Sequence, residues 1–274
     1  MYKLIATDCD GTILNSEGFL PEEIINTFRT LNKMGIHILI ATGRNDILAK
    51  DYLDELGIDC PVIGCNGSTL VNFYTNEKYF IKSMDKSSLD KIFNICSSEN
   101  IGVKAFTLDT CYTNDKVLYE GGINLITTRY KKKMTYSVEY RLVENMKNIS
   151  HIPNFVKAVV IENNIPRLLK IKDTINEKVP GVKAVQSNWN CIDINSADVS
   201  KGNALLEYAK IMGIKPDEII AFGDSENDIS MIKAAGLGVA VENAADDVKV
   251  AADKIVDTND NYGVAKFLRK LYKL

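Results

Sequence analysis

The sequence predicts an α/β protein in which a Rossmann-like, doubly wound parallel sheet is interrupted by an inserted α+β domain. Both ends of the chain alternate short, continuous apolar runs with patterns of helical period, whereas the middle alternates less regularly. Continuous apolar strands are typical of parallel sheets, because helices cover both faces of such sheets. A less regular mixture of strands and helices is typical of α+β units. We therefore assign residues 1–82 and 191–274 to one discontinuous core domain, and residues 83–190 to the insertion.

The N-terminal part opens the core. Its apolar runs predict strands at residues 3–7, 36–41 and 62–64. A helical pattern begins at Pro21, which is followed by two glutamates, and acidic residues are favoured in the first turn of a helix. We expect this helix to stop at Gly35, and a second helix over residues 45–56 to stop at Gly57.

The remaining elements are predicted from the same two patterns: apolar runs for strands and helical periodicity for helices. In the middle of the chain we expect helices at residues 85–99, 118–131 and 166–178, and strands at residues 103–108, 111–113, 156–162, 182–186 and 191–194. In the C-terminal part we expect strands at residues 219–222, 238–241 and 254–256, and helices at residues 201–212, 227–235, 245–251 and from residue 262. Helices thus separate the core strands, as parallel pairing requires.

Composition restricts the kinds of partner. The chain has 274 residues and a net charge of −3, with 46% hydrophobic and 25% charged residues. This length suits two compact domains, and no strong field of one sign is present to attract nucleic acid or an anionic membrane. The densest basic run, three lysines at residues 131–133, is expected to form a solvated face. We expect a small-molecule partner, and the sequence does not indicate an oligomeric state.

Targeting and redox signals are few. The start of the sequence shows no secretory signal, and no apolar run approaches the ~18 residues of a membrane span. The six cysteines form no Cys-x-x-Cys pair, so neither a zinc site nor a redox motif is indicated. We expect a cytoplasmic protein with reduced thiols.

The first segment that can carry chemistry, residues 8–12, directly follows the first strand. Ligands of open α/β sheets bind at the carboxyl ends of the strands, so Asp8 and Asp10 can face one site. One carboxylate can attack phosphorus while the other moves a proton. The alternative interpretation is an ordinary acidic turn. A calcium loop is excluded, because Gly11 falls at the fourth loop position instead of the sixth and Phe19 replaces the bidentate glutamate.

The second and third segments offer ligands for phosphate. Thr42 and Gly43 lie between a strand and a helix, where a hydroxyl and backbone amides can cradle an anion. Taken alone, Thr42 is more simply explained as the N-cap of that helix. Lys201 stands at the start of a helix, which is an unfavourable place for a cation. It either extends into solvent or faces an anion, and beside a phosphorylated aspartate it would neutralise charge on phosphorus.

The fourth segment, residues 223–228, follows another buried strand. Asp224, Asn227 and Asp228 supply hard oxygen ligands, which suit Mg²⁺. The alternative is a capping turn that opens the next helix. Each of the four segments is a weak signal alone, and their combination and order carry the functional argument.

In this order the four segments resemble the signature motifs of the haloacid dehalogenase-like (HAD) superfamily. The insertion point, between the second and third motifs, resembles that of its subfamily IIB, the Cof-type phosphatases, which carry a C2B-type cap domain. Residues 238–244 are also similar to that family. The resemblance covers both ends of the chain, and it covers the middle only by size and mixed pattern. As a set the motifs are specific, although each one alone is not.

The resemblance implies a Mg²⁺-dependent phosphatase that acts on small phosphorylated metabolites through a phosphoaspartate. Asp8 would be the nucleophile, and Asp10 would protonate the leaving oxygen and then activate water. The Asp8 carboxylate, the Asp10 backbone carbonyl and Asp224 would hold Mg²⁺. Asp228 would support the metal from farther away.

The resemblance also implies how the substrate is held. Thr42, the Gly43 amide and Lys201 would bind the transferring phosphoryl group, and Asn227 would orient Lys201 or contact the phosphate. Substrate specificity would come from the cap, a lid that also excludes water. Further candidate contacts are Arg44, Asn66 and residues of the insertion such as Trp189 and Asn190. For Trp189 we favour a place in the core over a stack on the substrate.

Two other functions remain open at this point. A phosphosugar mutase would use the same phosphoaspartate but return the phosphoryl group to a sugar. A regulatory protein that only binds a phosphometabolite would not need Asp10 and Lys201, so their presence disfavours it. The sequence does not indicate the physiological substrate.

Overall fold

The computed structural model describes residues 2–128 and 134–274, without the side chains of residues 123–128. In chain order its strands are β1 (Leu4–Thr7), β2 (His37–Ala41), β3 (Val62–Gly64), β4 (Thr69–Asn72), β5 (Glu77–Ile81), β6 (Val103–Phe106), β7 (Thr110–Thr113), β8 (Glu139–Leu142), β9 (Lys157–Ile161), β10 (Val182–Asn188), β11 (Cys191–Ser196), β12 (Ile219–Gly223), β13 (Leu237–Val241) and β14 (Lys254–Val256). Its α-helices are α1 (Glu22–Lys33), α2 (Lys50–Leu56), α3 (Lys86–Ser98), α4 (Lys116–Thr128), α5 (Ile165–Lys178), α6 (Lys201–Ile211), α7 (Ile229–Ala234), α8 (Asp246–Ala251) and α9 (Gly263–Tyr272). The lysines at residues 131–133, and the end of the helix predicted at residues 118–131, lie outside the described residues.

The larger sheet has the strand order β14-β13-β12-β1-β2-β3-β4-β5. From β14 to β3 every neighbouring pair is parallel, whereas β4 and β5 add an antiparallel edge. The strand order reverses at β1, which lies between β2 and β12. This arrangement confirms the predicted doubly wound parallel core. Edge strands β4 and β5 were not predicted. Strand β5 is partly exposed and begins with two charged residues, so only its last three residues are apolar.

Both faces of the larger sheet are buried, which explains why its strands are continuous apolar runs. Successive side chains of a strand point to opposite faces. Accordingly Ile5 belongs to one hydrophobic cluster, with Phe28 of α1, while Leu4 and Ala6 belong to another, with Leu205 of α6. Helices therefore cover both sides of β1, whose carboxyl end meets the functional site.

The smaller sheet has the strand order β10-β11-β9-β6-β7-β8 and is antiparallel except between β7 and β8. It has its own hydrophobic cluster, to which α3 and α5 contribute Ile92 and Ile171. We propose a later boundary than the one predicted between residues 190 and 191. Cys191–Ser196 forms β11, which pairs with β9 and β10 because the two strands of the β10–β11 hairpin share one sheet. The chain leaves the smaller sheet only after Ser196, and we propose that this sheet and its helices form the cap domain.

Among the described residues we find no helix with the length and apolar character to span a bilayer.

A buried carboxylate in the core gives a stability prediction. Asp46 opens the short turn between β2 and α2, and burial raises its pKa from 3.8 to about 6, although the backbone N–H of Ile47 donates to it. A raised carboxyl pKa means that the folded state favours the protonated form. The contribution of Asp46 to stability is therefore full below about pH 4 and is lost as the pH rises through about 6.

Asp46→Asn should remove this dependence, because an amide stays neutral. The difference in the free energy of unfolding, variant minus wild type, should be about 2–3 kcal/mol larger at pH 7.5 than at pH 4. Urea unfolding at the two pH values measures this difference. Asp173→Asn, at an exposed position of α5, is the matched control and should show no such change. An equal effect of Asp46→Asn at both pH values would contradict the prediction.

Candidate active site

The predicted motifs meet at one edge of the larger sheet. Asp8 follows β1, Thr42 follows β2 and Asp224 follows β12, and these three strands are neighbours. Because the strands are parallel, their carboxyl ends lie side by side, at the place where the strand order reverses. Lys201, the first residue of α6, reaches the same place.

Lys201 is buried and ion-paired. Its side chain is 1% exposed, and Nζ lies 2.7 Å from Oδ1 of Asp8 and 2.6 Å from Oδ1 of Asp228. Helix α6 can place it there because it packs closely on α7: a Cβ at Gly202 would lie 2.3 Å from the carbonyl oxygen of Ser230. The solvent-exposed alternative for Lys201 is therefore wrong. Burial alone would lower the pKa of Lys201, but the carboxylates of Asp228 and Asp8 outweigh burial and raise it, so the ammonium stays charged.

Asp228 organises the loop after β12. It is fully buried, and its Oδ2 accepts hydrogen bonds from the backbone N–H groups of Asp224 and Ser225, both at 3.0 Å. The loop approaches Asp228 so closely that a Cβ at Gly223 would lie 2.3 Å from its Cβ. One oxygen of Asp228 therefore holds Lys201 while the other holds the loop that carries Asp224.

Asp224 is fixed from both sides of the site. Its Oδ1 accepts a hydrogen bond from the Thr12 hydroxyl at 2.7 Å, and its Oδ2 accepts one from the Ser225 hydroxyl at 3.0 Å. Gly11 has a left-handed backbone with φ of 75°, and a Cβ there would lie 2.6 Å from Oδ2 of Asp224. Glycine is thus required for both its conformation and its closeness to Asp224.

The carboxylates of this edge fit a divalent cation. Asp8, Asp224 and Asp228 each offer an oxygen, and these atoms lie within 4.8 Å of one another. Burial raises the pKa of Asp8; Lys201 opposes this effect, and the neighbouring carboxylates add to it. Burial, together with Asp228, raises the pKa of Asp224 to about 6. Buried carboxylates at such distances disfavour one another's ionised form, and a hard cation with oxygen ligands would relieve this cost.

The loop after β2 carries Thr42 and Gly43, the two residues predicted to bind phosphate. Oγ1 of the buried Thr42 accepts a hydrogen bond from the Arg44 N–H at 3.1 Å, which leaves the hydroxyl proton of Thr42 to donate elsewhere. A Cβ at Gly43 would lie 2.8 Å from Oδ1 of Asn66, so the backbone is closely packed here. The N-cap interpretation of Thr42 is wrong, because the side chain of Asn45 caps the short helix that follows.

Arg44 is engaged with Asp10. Its Nε donates to Oδ2 of Asp10 at 2.6 Å and its Nη2 donates to Oδ1, so the pair is bidentate. Its guanidinium also lies over the ring of Tyr52, at 5.7 Å from the centroid. The planar contact fixes the direction of the Asp10 carboxylate, a role that the sequence did not predict for Arg44.

Asn66 connects the two sheets. Its Nδ2 donates to Oδ2 of Asp193 at 2.8 Å, and its Oδ1 accepts from Nδ2 of Asn227 at 2.9 Å. Asp193 also forms an ion pair of 2.6 Å with Lys157, whose Nζ donates to the carbonyl of Gly43 at 2.9 Å. These contacts place the side chain of Asn66 in the junction between the sheets, and its contact with a substrate stays a prediction.

The same network includes Asn227 and two residues that the sequence did not predict. Asn227 donates to Asn66, and its Oδ1 is buried without a hydrogen-bond partner among the described residues. Its contact with the phosphate stays a prediction. Sequence reasoning missed Lys157 and Asp193. The available signal was a charged residue within each of two apolar strands, since buried charges in proteins are paired.

A cavity of about 1120 Å³ lies between the sheets above Asp8. Asp10, Gly43 and Asp224 line it from the larger sheet, and β9 and the β10–β11 hairpin line it from the smaller one. Trp189, at the tip of that hairpin, is 62% exposed and lines the cavity, so the expectation that it is a core residue is wrong.

A model of the haloacid dehalogenase-like hydrolase family matches residues 5–268. The chain belongs to this family. Phosphatase YwpJ of Bacillus subtilis is 30% identical over 98% of this chain and 99% of its own length. The 5-amino-6-(5-phospho-D-ribitylamino)uracil phosphatase YwtE of the same organism is also 30% identical, over 98% of both chains. The solved structure of the HAD subclass IIB sugar phosphatase BT4131 is similar in fold, with a TM-score of 0.83 at 20% identity, and covers 99% of this chain and 100% of its own.

The HAD assignment places the chain among phosphoric monoester hydrolases, as the sequence predicts. The fold predicted from the four motifs is that of the solved HAD structures. The roles of the individual site residues stay predictions.

Proposed function

We propose that this HAD protein is a Mg²⁺-dependent phosphatase that forms an aspartyl-phosphate on Asp8. Its substrates would be small phosphate monoesters whose leaving alcohol is uncharged. The observation that carries the proposal is the position of the Asp8 carboxylate. It lies at the end of the cavity, held by the buried ammonium of Lys201 and beside Asp224. A carboxylate held in this way is suited to attack phosphorus.

The proposed chemistry has two displacements. In the first, an oxygen of Asp8 bonds to phosphorus as the ester bond breaks, and Asp10 gives a proton to the leaving alcohol. In the second, water attacks phosphorus, the bond to Asp8 breaks, and Asp10 accepts the proton of the water. The bidentate ion pair with Arg44 orients Asp10 in its carboxylate form, which accepts the proton of the water in the second step. The proton taken up there is the one that Asp10 gives to the leaving alcohol in the next turnover.

Positioning and charge neutralisation supply most of the catalysis in phosphoryl transfer. The Thr42 hydroxyl and the Gly43 amide would donate to oxygens of the phosphoryl group, and Lys201 would neutralise its charge. Asp8, Asp224 and the backbone carbonyl of Asp10 would hold Mg²⁺, which when bound neutralises charge between the nucleophile and the phosphoryl oxygens. Asp228 would keep Lys201 and the Asp224 loop in place.

The names of the relatives support a small substrate. YwpJ is named a phosphatase, and YwtE is named for the phosphate ester of a ribitylaminouracil. Phosphate release from a panel of sugar phosphates, nucleoside monophosphates, pyridoxal phosphate and flavin mononucleotide tests the proposal. Strong release from one or a few of them with Mg²⁺ is the expected result. An isomerised sugar phosphate as the product, with no free phosphate, would favour a mutase and contradict the proposal.

Chelation should stop this activity. We expect EDTA to abolish phosphate release and added Mg²⁺ to restore it, because the crowded carboxylates need a cation. Asp224→Asn should raise the Mg²⁺ concentration needed for half-maximal activity by about tenfold or more, since one anionic ligand is lost. Asp173→Asn is the matched surface control. Activity that is indifferent to EDTA would remove the metal from the proposal.

A further inference from the structure

One face of the smaller sheet is turned towards the cavity. Alternate residues of β9 line it, namely Lys157, Val159 and Ile161, as alternation along a strand requires. Cys191 and Asp193 of β11 also line it and stand opposite Ile161 and Val159 in the register. The end of this face beside Gly43 carries the Lys157–Asp193 ion pair. The rest of the face, formed by Val159, Ile161 and Cys191, is an apolar strip.

No unbalanced charge remains on this wall of the cavity in the described part of the chain. Lys157 is paired with Asp193, and across the cavity Arg44 is paired with Asp10. An anionic or cationic group on the leaving alcohol would meet no counter-ion here that is not already engaged. The wall is thus suited to an uncharged leaving group.

Trp189 stands at the outer end of the apolar strip. It lies two residues before Cys191, in the turn of the β10–β11 hairpin, and Asn188 and Asn190 line the cavity beside it. Its indole is 62% exposed, so it adds little to the core. A flat ring that stacks on such an indole gains about 1–3 kcal/mol, and the neighbouring amides can bond to the ring's polar edge.

The length of the strip restricts where the ring can be. Lys157 contacts the loop after β2 at Gly43. Ile161 lies four residues farther along β9, a distance of ~13 Å. Trp189 lies beyond Cys191, the partner of Ile161. A ring stacked on Trp189 must therefore be separated from the phosphoryl group by a spacer of several bonds. Asn15, Ser16 and Asn259 line the cavity and can bond hydroxyl groups of such a spacer.

We propose that Trp189 is a specificity residue that stacks on an uncharged flat ring, which an uncharged, hydroxylated spacer joins to the phosphate ester. This inference rests on the proposed phosphatase function and names its substrate class. Nucleoside monophosphates and ribityl phosphates of flat heterocycles have this chemistry. A ring only one carbon from the ester oxygen, as in pyridoxal phosphate, would not reach Trp189.

A matched pair of substrates tests the role of Trp189. Uridine 5′-monophosphate and ribose 5-phosphate share a phosphorylated pentose and differ in the flat ring. For wild type we expect kcat/KM for the ring-bearing ester to be roughly tenfold higher, given the stacking energy. Trp189→Ala should bring this ratio to about one, mainly by a higher KM for uridine 5′-monophosphate, and Trp189→Phe should keep most of it. The ratio of pyridoxal phosphate to ribose 5-phosphate should not respond to either change.

Fluorescence gives a second readout that needs no turnover. Trp189 is the single tryptophan of the chain, so all tryptophan emission comes from it. In the Asp8→Asn variant we expect saturable quenching by uridine 5′-monophosphate and none by ribose 5-phosphate. Absence of quenching, or a Trp189→Ala variant whose substrate ratio equals that of wild type, would overturn the proposal. Absence of phosphate release from every substrate by wild type with Mg²⁺ would instead reject the phosphatase function, and the quenching experiment would still decide the role of Trp189.

Discussion

Asp8→Asn should abolish turnover while the fold is retained. The change removes the nucleophile but keeps the size of the side chain and an oxygen that can accept the hydrogen bond from Lys201. Loss of a catalytic nucleophile lowers kcat by about 10⁴-fold or more. The variant should not be less stable than wild type, because burial and the neighbouring carboxylates disfavour the charged form of Asp8.

Phosphate release and thermal unfolding, measured side by side for wild type and Asp8→Asn, check both statements. Rapid acid quenching of wild type during turnover should also trap one phosphoryl group on the peptide that contains Asp8, and none on the variant. Asp173→Asn, at an exposed position of α5, is the matched control and should leave phosphate release and thermal unfolding near wild type. Asp8→Asn activity above about one per cent of wild type would contradict covalent catalysis. Direct attack of water on the substrate, without the Asp8 nucleophile, should be far slower than that.

Lys201→Met should reduce both activity and stability. The ammonium is the cation shared by the buried carboxylates of Asp8 and Asp228, so its removal leaves two buried charges without their partner. Removal of one member of a buried ion pair costs about 3–5 kcal/mol. Turnover should fall by about 10³-fold, because charge on the transferring phosphoryl group is no longer neutralised.

Urea unfolding and phosphate release measure the two effects of Lys201→Met. Lys210→Met, at an exposed position of the same helix, is the matched control and should leave both near wild type. If Lys201→Met does not fold, the double variant with Asp228→Asn separates the effects, since it also removes one buried charge. We expect this double variant to recover stability but not turnover. Near-normal turnover in either variant would exclude Lys201 from catalysis.

Much of the fold could be predicted, because the larger sheet is buried on both faces. Short apolar runs such as β1 and β12 are typical of buried strands. Glycines such as Gly57 end helices in the left-handed conformation. Strands β4, β5 and β8 were missed. Strands β5 and β8 are partly exposed, and their polar residues give no apolar period. Strand β4 is buried but follows β3 after a single tight turn, so its apolar residues could not be separated from those of β3.

The functional site was also only partly predictable from the sequence. Asp8, Thr42 and Asp224 could be placed together from the sequence, because each follows a strand of a parallel sheet and the carboxyl ends of such strands share one edge. Lys157, Asp193 and the exposed indole of Trp189 could not, because their positions depend on how one sheet faces another. A strand's pattern shows which residues share a face, but only the packing of the two sheets decides which face closes the cavity. The sequence alone thus specified the edge that carries the chemistry, and the tertiary structure decided the wall that selects what is bound there.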